Sequence, residues 1–341
     1  MKIDFQHKPA AHCENGVTSN MLRFYGIDLS EPMVLGLGSG LFFSHMPFIR
    51  LNGMAVTSFR PLPGQIFSRV CKKLNIKIKG KYFLNKDKAM KALDDQLLQG
   101  KPVGLRVGVY FLPYFPKEYR FHFNAHNICV IGKEDTIYTV SDPVSQTEET
   151  LSYDDLKRVR FAKGTWPPYG RMYWVERIGT QPDDLKPLLK KAILLNCKHM
   201  LDIPFSYFGV KGIHLMAKKM RSWEKKLSPK QAIMNLAQII RMLEEIGTGG
   251  AGFRYMYAAF LYEASIILKQ NELKDLSVEM SRIGDLWRAF AYEAARKFKK
   301  RSDDVLSYEQ LAEKLDEIAG CEKQLFENLR TIAKKMMLKH G

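Results

Sequence analysis

The sequence predicts an α+β domain followed by an all-helical domain, and three observations carry that prediction. The first half alternates short helical stripes with β-prone runs separated by turn residues. A polar stretch, Gly179-Thr180-Gln181-Pro182-Asp183-Asp184, then interrupts the pattern. Beyond it almost every signal is a 3.6-residue apolar stripe. The expected domains are therefore residues 1–178 and 179–341.

The first helix follows from Val17, Met21, Phe24 and Tyr25 at helical spacing, with Gly26 as its stop. Gly36-Leu37-Gly38-Ser39-Gly40 lacks the Lys-Ser/Thr ending of a phosphate loop and reads as a tight turn near the cleft. Arg60-Pro61-Leu62-Pro63-Gly64 is another turn. Lys86 to Leu98 reads as a helix with Ala89, Leu93 and Leu97 on one face, broken by Gly100-Lys101-Pro102. Val103, Leu105, Val107 and Val109 alternate as a strand with one buried face. Ile128-Cys129-Val130-Ile131 and Thr136 to Val140 flank a Gly132-Lys133-Glu134-Asp135 turn and form a hairpin. Arg171 to Val175 closes the sheet, after an aromatic-proline turn at Trp166-Pro167-Pro168-Tyr169 that reads as a packed loop.

In the second half the stripes run over 185–200, 211–226, 229–246, 254–269, 273–300 and 308–338. Ser228-Pro229 supplies an N-cap with proline at the first helical position. The glycine-rich run Gly247 to Gly252 separates two helices and leads into Arg254, at a helix N-terminus with an anion-binding look. No internal repeat and no low-complexity segment is present.

With 341 residues and 46% hydrophobic content, the chain can bury two ordinary cores. It has no uncharged apolar run long enough to span a bilayer. An early acid and the lack of an apolar signal core point to a cytoplasmic protein. The five cysteines are scattered, without CxxC or finger spacing, which suits free thiols and argues against a bound metal. The formal charge of +17 is spread evenly: 25 basic against 16 acidic residues over 1–180, and 28 against 20 over the rest. A soluble basic enzyme accounts for this, and an acidic protein partner is the sharper reading. Nucleic acid is disfavoured, because the basic runs are short and no RNP, finger or glycine-lysine phosphate motif appears.

The chemistry concentrates on Cys13. At the first turn of a helix it faces backbone N–H groups and the positive end of the dipole, both of which favour thiolate over thiol. His126 stands at the mouth of the apolar strand, and Asp142 follows the next strand one hairpin later. Cysteine on a helix, histidine at a strand start and a carboxylate beside it is what a Cys/His/Asp acyl-transfer site needs. Taken singly, each has a plainer reading: a buried thiol, a satisfied histidine, a turn-forming Asp before Pro143. His122, four residues before His126, would face the same cleft if the strand reached it. His12 would diverge from the thiol. Gln6, seven residues before Cys13, could donate its amide to an oxyanion, with the Cys13 N–H as second donor.

The opening His12-Cys13-Glu14, the Gly36-Leu37-Gly38 loop, Tyr110-Phe111-Leu112-Pro113-Tyr114, the His126 strand and Ser141-Asp142-Pro143 together resemble the butirosin biosynthesis protein H N-terminal domain family. The Gly249-Gly250 to Phe253-Arg254 stretch and the helix through Phe260 to Ala264 resemble the helical domain that often follows it. The resemblance covers nearly the whole chain. It implies a papain-like cysteine protease fold, related to bacteriocin-leader-processing peptidases and redeployed for acyl transfer. In such relatives an acyl group held as a carrier-protein thioester passes to the cysteine and then to an amine, as in amide synthases of the closthioamide type. No cofactor is then expected beyond the phosphopantetheine of an acidic acyl or peptidyl carrier protein. Carried over, Cys13 is nucleophile, His126 base and Asp142 orienter, with His122 and Arg254 as substrate-binding candidates. Papain-like peptidases place the oxyanion glutamine six residues before the cysteine, and Gln6 departs from that by one. Two other classes remain open on the sequence: a cysteine peptidase or amidase using the same residues with water, and a non-catalytic basic binding module.

Overall fold

The computed structural model describes residues 1–51, 53–299 and 305–338. In chain order the elements are α1 (Cys13–Phe24), α2 (Glu31–Leu37), β1 (Ser44–Leu51), β2 (Met54–Ser58), α3 (Gln65–Lys73), β3 (Ile76–Lys81), α4 (Lys86–Leu97), β4 (Val103–Val107), β5 (His126–Glu134), β6 (Ile137–Ser141), β7 (Glu149–Ser152), α5 (Tyr153–Arg160) and β8 (Met172–Ile178). Helices α6 (Lys186–Leu201), α7 (Gly209–Arg221), α8 (Trp223–Lys226), α9 (Pro229–Ile240), α10 (Arg254–Leu268), α11 (Asn271–Lys299) and α12 (Tyr308–Leu338) follow.

The chain divides into two compact units, Met1–Val34 with Ile66–Asp183 and Leu35–Gln65 with Asp184–Gly341. The first unit is built on a six-stranded antiparallel sheet in the order β3-β8-β4-β5-β6-β7. α1 packs on β5, while α4 and α5 pack on β4 and its neighbours. The α1 stripe Val17, Met21 and Leu22 is fully buried, as are Leu93 of α4, Leu105 of β4 and Ile128 and Val130 of β5. The expected one-faced strand at 103–109 is different in detail. β4 is central, with apolar residues buried throughout, and Val109 has left the sheet for a 3-10 turn. Gly104 is there because the Tyr173 ring lies over it: a Cβ would come within 2.2 Å of that ring. The N-terminal segment adds an edge contact, with Ile3 N–H donating to the Ile131 carbonyl.

Beyond residue 185 every element among the described residues is a helix, as expected. The compact second unit also takes in Leu35–Gln65, which contributes the β1–β2 hairpin. Packing accounts for this. Phe43 stacks on Trp287 of α11 at a ring separation of 6.0 Å, and Phe59 meets the same ring edge-to-face at 5.3 Å. The Gly36–Gly40 turn belongs here too, and a Cβ on Gly36 would meet the Phe260 ring at 2.0 Å. The helical stripes match α6 to α12 closely. Ser228 and Gln231 form a reciprocal capping box at the start of α9. The end of α9 continues as a π-turn over Arg241–Glu245. α11 stops at Lys299, and Lys300, the last residue of its expected stripe, lies outside the described residues.

Candidate active site

Helix α1 begins at the cysteine because His12 is extended and caps it, its Nδ1 accepting from the Asn15 N–H at 3.3 Å. The entering chain is fixed by Glu31, whose carboxylate accepts from the N–H groups of Ala11 (3.0 Å) and His12 (2.7 Å). Glu14, fully buried, accepts from the N–H groups of Ile66 and Phe67 and so ties the first turn of α1 to the N-terminus of α3. That use of a buried carboxylate satisfies donors that a helix start leaves open.

The carboxylate side of the site is held against α1 by a close approach. Ala10 N–H donates to the Pro143 carbonyl at 2.7 Å. Gly16 lies under that contact, and a Cβ there would fall 2.4 Å from Pro143 and 2.6 Å from Ala10. His7 anchors the same turn, accepting from the Ser141 hydroxyl (2.8 Å) and donating to the Ser145 carbonyl (3.2 Å).

Three residues meet there. His126 Nε2–H donates to Asp142 Oδ2 at 2.7 Å, and the Cys13 thiol is within hydrogen-bond reach of the same imidazole. A carboxylate only accepts, so Nε2 carries the proton and Nδ1 is the nitrogen left for the sulfur. Asp142 is fully buried and fully used: Oδ2 also accepts from the Tyr114 hydroxyl at 2.8 Å, and Oδ1 from the Val144 N–H at 3.2 Å. Burial is the largest influence on His126 and opposes its charge. The Asp142 carboxylate, and behind it the Cys13 sulfur, outweigh that and push the imidazole up to about 10. Tyr114 is pushed well above the usual phenol range, by burial first and by Asp142 second, so it stays a neutral donor. The arrangement favours a thiolate beside an imidazolium, the state a cysteine nucleophile works from.

The other sequence candidates lie elsewhere. Gln6 is exposed, alternating with buried Phe5, and makes no hydrogen bond in the network around Cys13 among the described residues. His122 precedes β5, which starts only at His126, so the argument from positions four apart in a strand does not apply. It is exposed and stacks on Tyr110 at 4.1 Å and 11°, lining a pocket of about 430 Å³ with Lys86, Phe111, Lys157 and Arg158. Arg254 is not available to a substrate. Fully buried in the second unit, it donates to both oxygens of Glu322 (2.8 and 3.1 Å) and to the Gly252 carbonyl, between the rings of Phe59 and Trp287. It holds a core together.

Sequence reasoning missed Asn127 as a site residue. Its amide nitrogen is 3.8 Å from Cys13 Sγ, and its Oδ1 accepts from the Tyr173 hydroxyl at 3.0 Å. Tyr114 entered only within a resemblance motif. Among the described residues no three His, Cys, Asp or Glu side chains gather as a metal site, and no helix is long and apolar enough to cross a membrane.

Residues 12–143 match the family described as butirosin biosynthesis protein H, N-terminal. Residues 154–329, just over half of the chain, match a family described as a domain of unknown function (DUF4872). The chain belongs to this second family, and the first accounts for its N-terminal part. No curated protein matches it. Among solved structures, a C39-like peptidase from Bacillus anthracis is 14% identical, with a TM-score of 0.36, over 52% of this chain and all of that one. The first unit, with a cysteine at the start of a helix packed on an antiparallel sheet that carries the histidine and then the carboxylate, has the papain-like arrangement. Residues 12–143 thus carry a domain of the butirosin biosynthesis protein H, N-terminal, family with a cysteine-protease-like fold.

Proposed function

We propose that this protein is an amide-forming acyltransferase that moves an acyl group from a carrier-protein thioester, through a Cys13 acyl-enzyme, to an amine. The observation that supports it most is the buried Cys13–His126–Asp142 arrangement, in which the carboxylate holds the imidazole at 2.7 Å beside the thiol.

In the first step Cys13 Sγ attacks the thioester carbonyl, and a new C–S bond forms as the carbonyl electrons move to oxygen. Backbone N–H groups of the N-terminal turn of α1, that of Cys13 first, would be the donors to that oxygen. Collapse breaks the bond to the phosphopantetheine sulfur, which takes the His126 proton and leaves as a thiol. In the second step the amine attacks the acyl-enzyme, the now neutral His126 accepts its proton, and the Cys13 thiolate departs as the amide forms. Exchange of one thioester for another is nearly balanced, and amide formation from a thioester is downhill, so the sequence needs no ATP. Asp142 keeps the imidazole in one tautomer through both steps.

The test is mass spectrometry of the full-length protein with an acylated carrier protein, with and without a panel of amines. An acyl adduct on Cys13 and an amide that appears only when amine is present are expected. Prompt hydrolysis indifferent to amine would replace this reading with a cysteine peptidase or amidase. Salt-sensitive nucleic-acid binding with no thiol reactivity would replace it with a binding module.

A further inference from the structure

Asn127 is buried beside the thiol with every polar atom committed. Its nitrogen is 3.2 Å from the Ala125 carbonyl and 3.8 Å from Cys13 Sγ. A carbonyl oxygen only accepts, so the atom facing Ala125 must be the NH₂ group, and this fixes which way the amide points. The oxygen then lies toward Tyr173, whose hydroxyl donates to it at 3.0 Å. Tyr173 has little freedom. Its ring sits where Gly104 leaves room and lies 4.9 Å from the Phe67 ring. Burial first, and then the charges of Glu14, Cys129 and Cys13, raise its phenol well above the ordinary range, so it remains a donor.

One N–H of Asn127 is spent on Ala125 and the other is aimed at the sulfur. A thiol is a weak acceptor, whereas a thiolate accepts a charge-assisted bond. A donor held in that place therefore favours the ionised sulfur over the neutral one. His126 provides the matching charge from its own side of the sulfur.

We propose that Asn127, oriented by Tyr173, is a second stabiliser of the Cys13 thiolate, acting independently of the His126–Asp142 pair. The proposal rests on Cys13 being the nucleophile, and not on which acceptor takes the acyl group. The titratable and charged groups around this amide and sulfur include Glu14 of α1, His126 and Cys129 of β5, Tyr173 of β8 and Arg171 just before it, with Asp142 and Tyr114 behind His126.

The experiment is the pH dependence of Cys13 alkylation by iodoacetamide, mapped by peptide mass so that the other four cysteines do not contribute. Alkylation reports the thiolate fraction and involves no oxyanion. Asn127→Ala should move the midpoint upward by about one pH unit, the equivalent of losing one modest hydrogen bond to a charge. The rate at the alkaline plateau, where every molecule is thiolate, should stay unchanged. Tyr173→Phe should move the midpoint the same way by less, and it decides the matter where Asn127→Ala does not fold. An unmoved midpoint overturns the proposal, and so does a fall in the plateau alone, which would mean general disruption. A midpoint that holds while acylation by a thioester collapses would also overturn it, by reassigning the amide to the oxyanion. Acyl transfer to amines is measured separately. If transfer is absent but the midpoint moves, the acyltransferase reading falls and this one stands. A wild-type Cys13 that does not alkylate at all removes both.

Discussion

Asp142 illustrates how one buried carboxylate sets the behaviour of a site. Three donors converge on it, from His126, Tyr114 and the Val144 N–H, and satisfy both of its oxygens. Because the folded state raises His126 from its usual 6.5 to about 10, folding gains stability from the charged imidazole. That contribution is complete below pH 6.5, where the unfolded histidine is protonated too, and is lost as pH rises toward 10. Denaturant midpoints should therefore fall across that window in the wild type and fall less in Asp142→Asn. The same variant should lower kcat by about a hundredfold or more with little change in KM, since the imidazole loses its orienter. Equal slopes in the two proteins would remove the carboxylate from this role. Cys13, His126 and Asp142 were legible because each sits at a local boundary that sequence marks: a helix start, a strand start, a turn before proline. Asn127 was not, because its meaning depends on Tyr173, 46 residues away on a strand that does not pair with β5. Arg254 was misread for the same reason. Its partner Glu322 is 68 residues on, and nothing local in either segment announces a buried ion pair.

At the scale of elements, α1 does more than present a nucleophile. Its N-terminal turn is fastened to α3 through Glu14 and to the Asp142–Pro143 turn through the gap at Gly16. Gly16→Ala should force that turn away from the helix, costing about 1–3 kcal/mol in stability as overpacking typically does. It should also reduce kcat, because Asp142 moves with Pro143. Thermal unfolding and steady-state kinetics on one preparation check both. An unchanged melting temperature would show that the contact gives way at no cost. Periodicity marked α1, α4, β4, β5, β6, β8 and the helices after residue 185, whereas α2, α3, β3, β7, α5 and the β1–β2 hairpin went unread, the hairpin for a reason its sequence shows. Pro47 lies inside β1, which removes a ladder donor and demotes a sequence from a strand assignment. The register shifts just there, between Met46 and Arg50, so a bulge absorbs the proline. The hairpin is stabilised by the packing of its unit rather than by local propensity, with Asn235 of α9 accepting from the Ala55 N–H. Sequence shows the propensity and not the packing.

For the whole molecule, the decisive bulk property is the charge of +17, spread over both halves of the chain. Under the proposed function this excess has a physical use. A carrier protein with a surplus of carboxylates would be drawn toward a basic surface before any specific contact forms, which raises the association rate more than the final affinity. Screening then gives a direct test, because the Debye length shrinks from about 10 Å at 0.1 M salt to about 3 Å at 1 M. The apparent KM for carrier-bound substrate should rise over that range, chiefly through a slower on-rate. A small thioester that lacks the protein should react at nearly the same rate throughout, since the buried Cys13–His126–Asp142 site is shielded from mobile ions. The paired measurement separates docking from chemistry: salt that slows both substrates acts on the site, and salt that slows only the carrier acts on the encounter. A KM for the carrier that stays flat across the range would leave the charge excess without a docking role and take from the carrier-protein reading one of its supports.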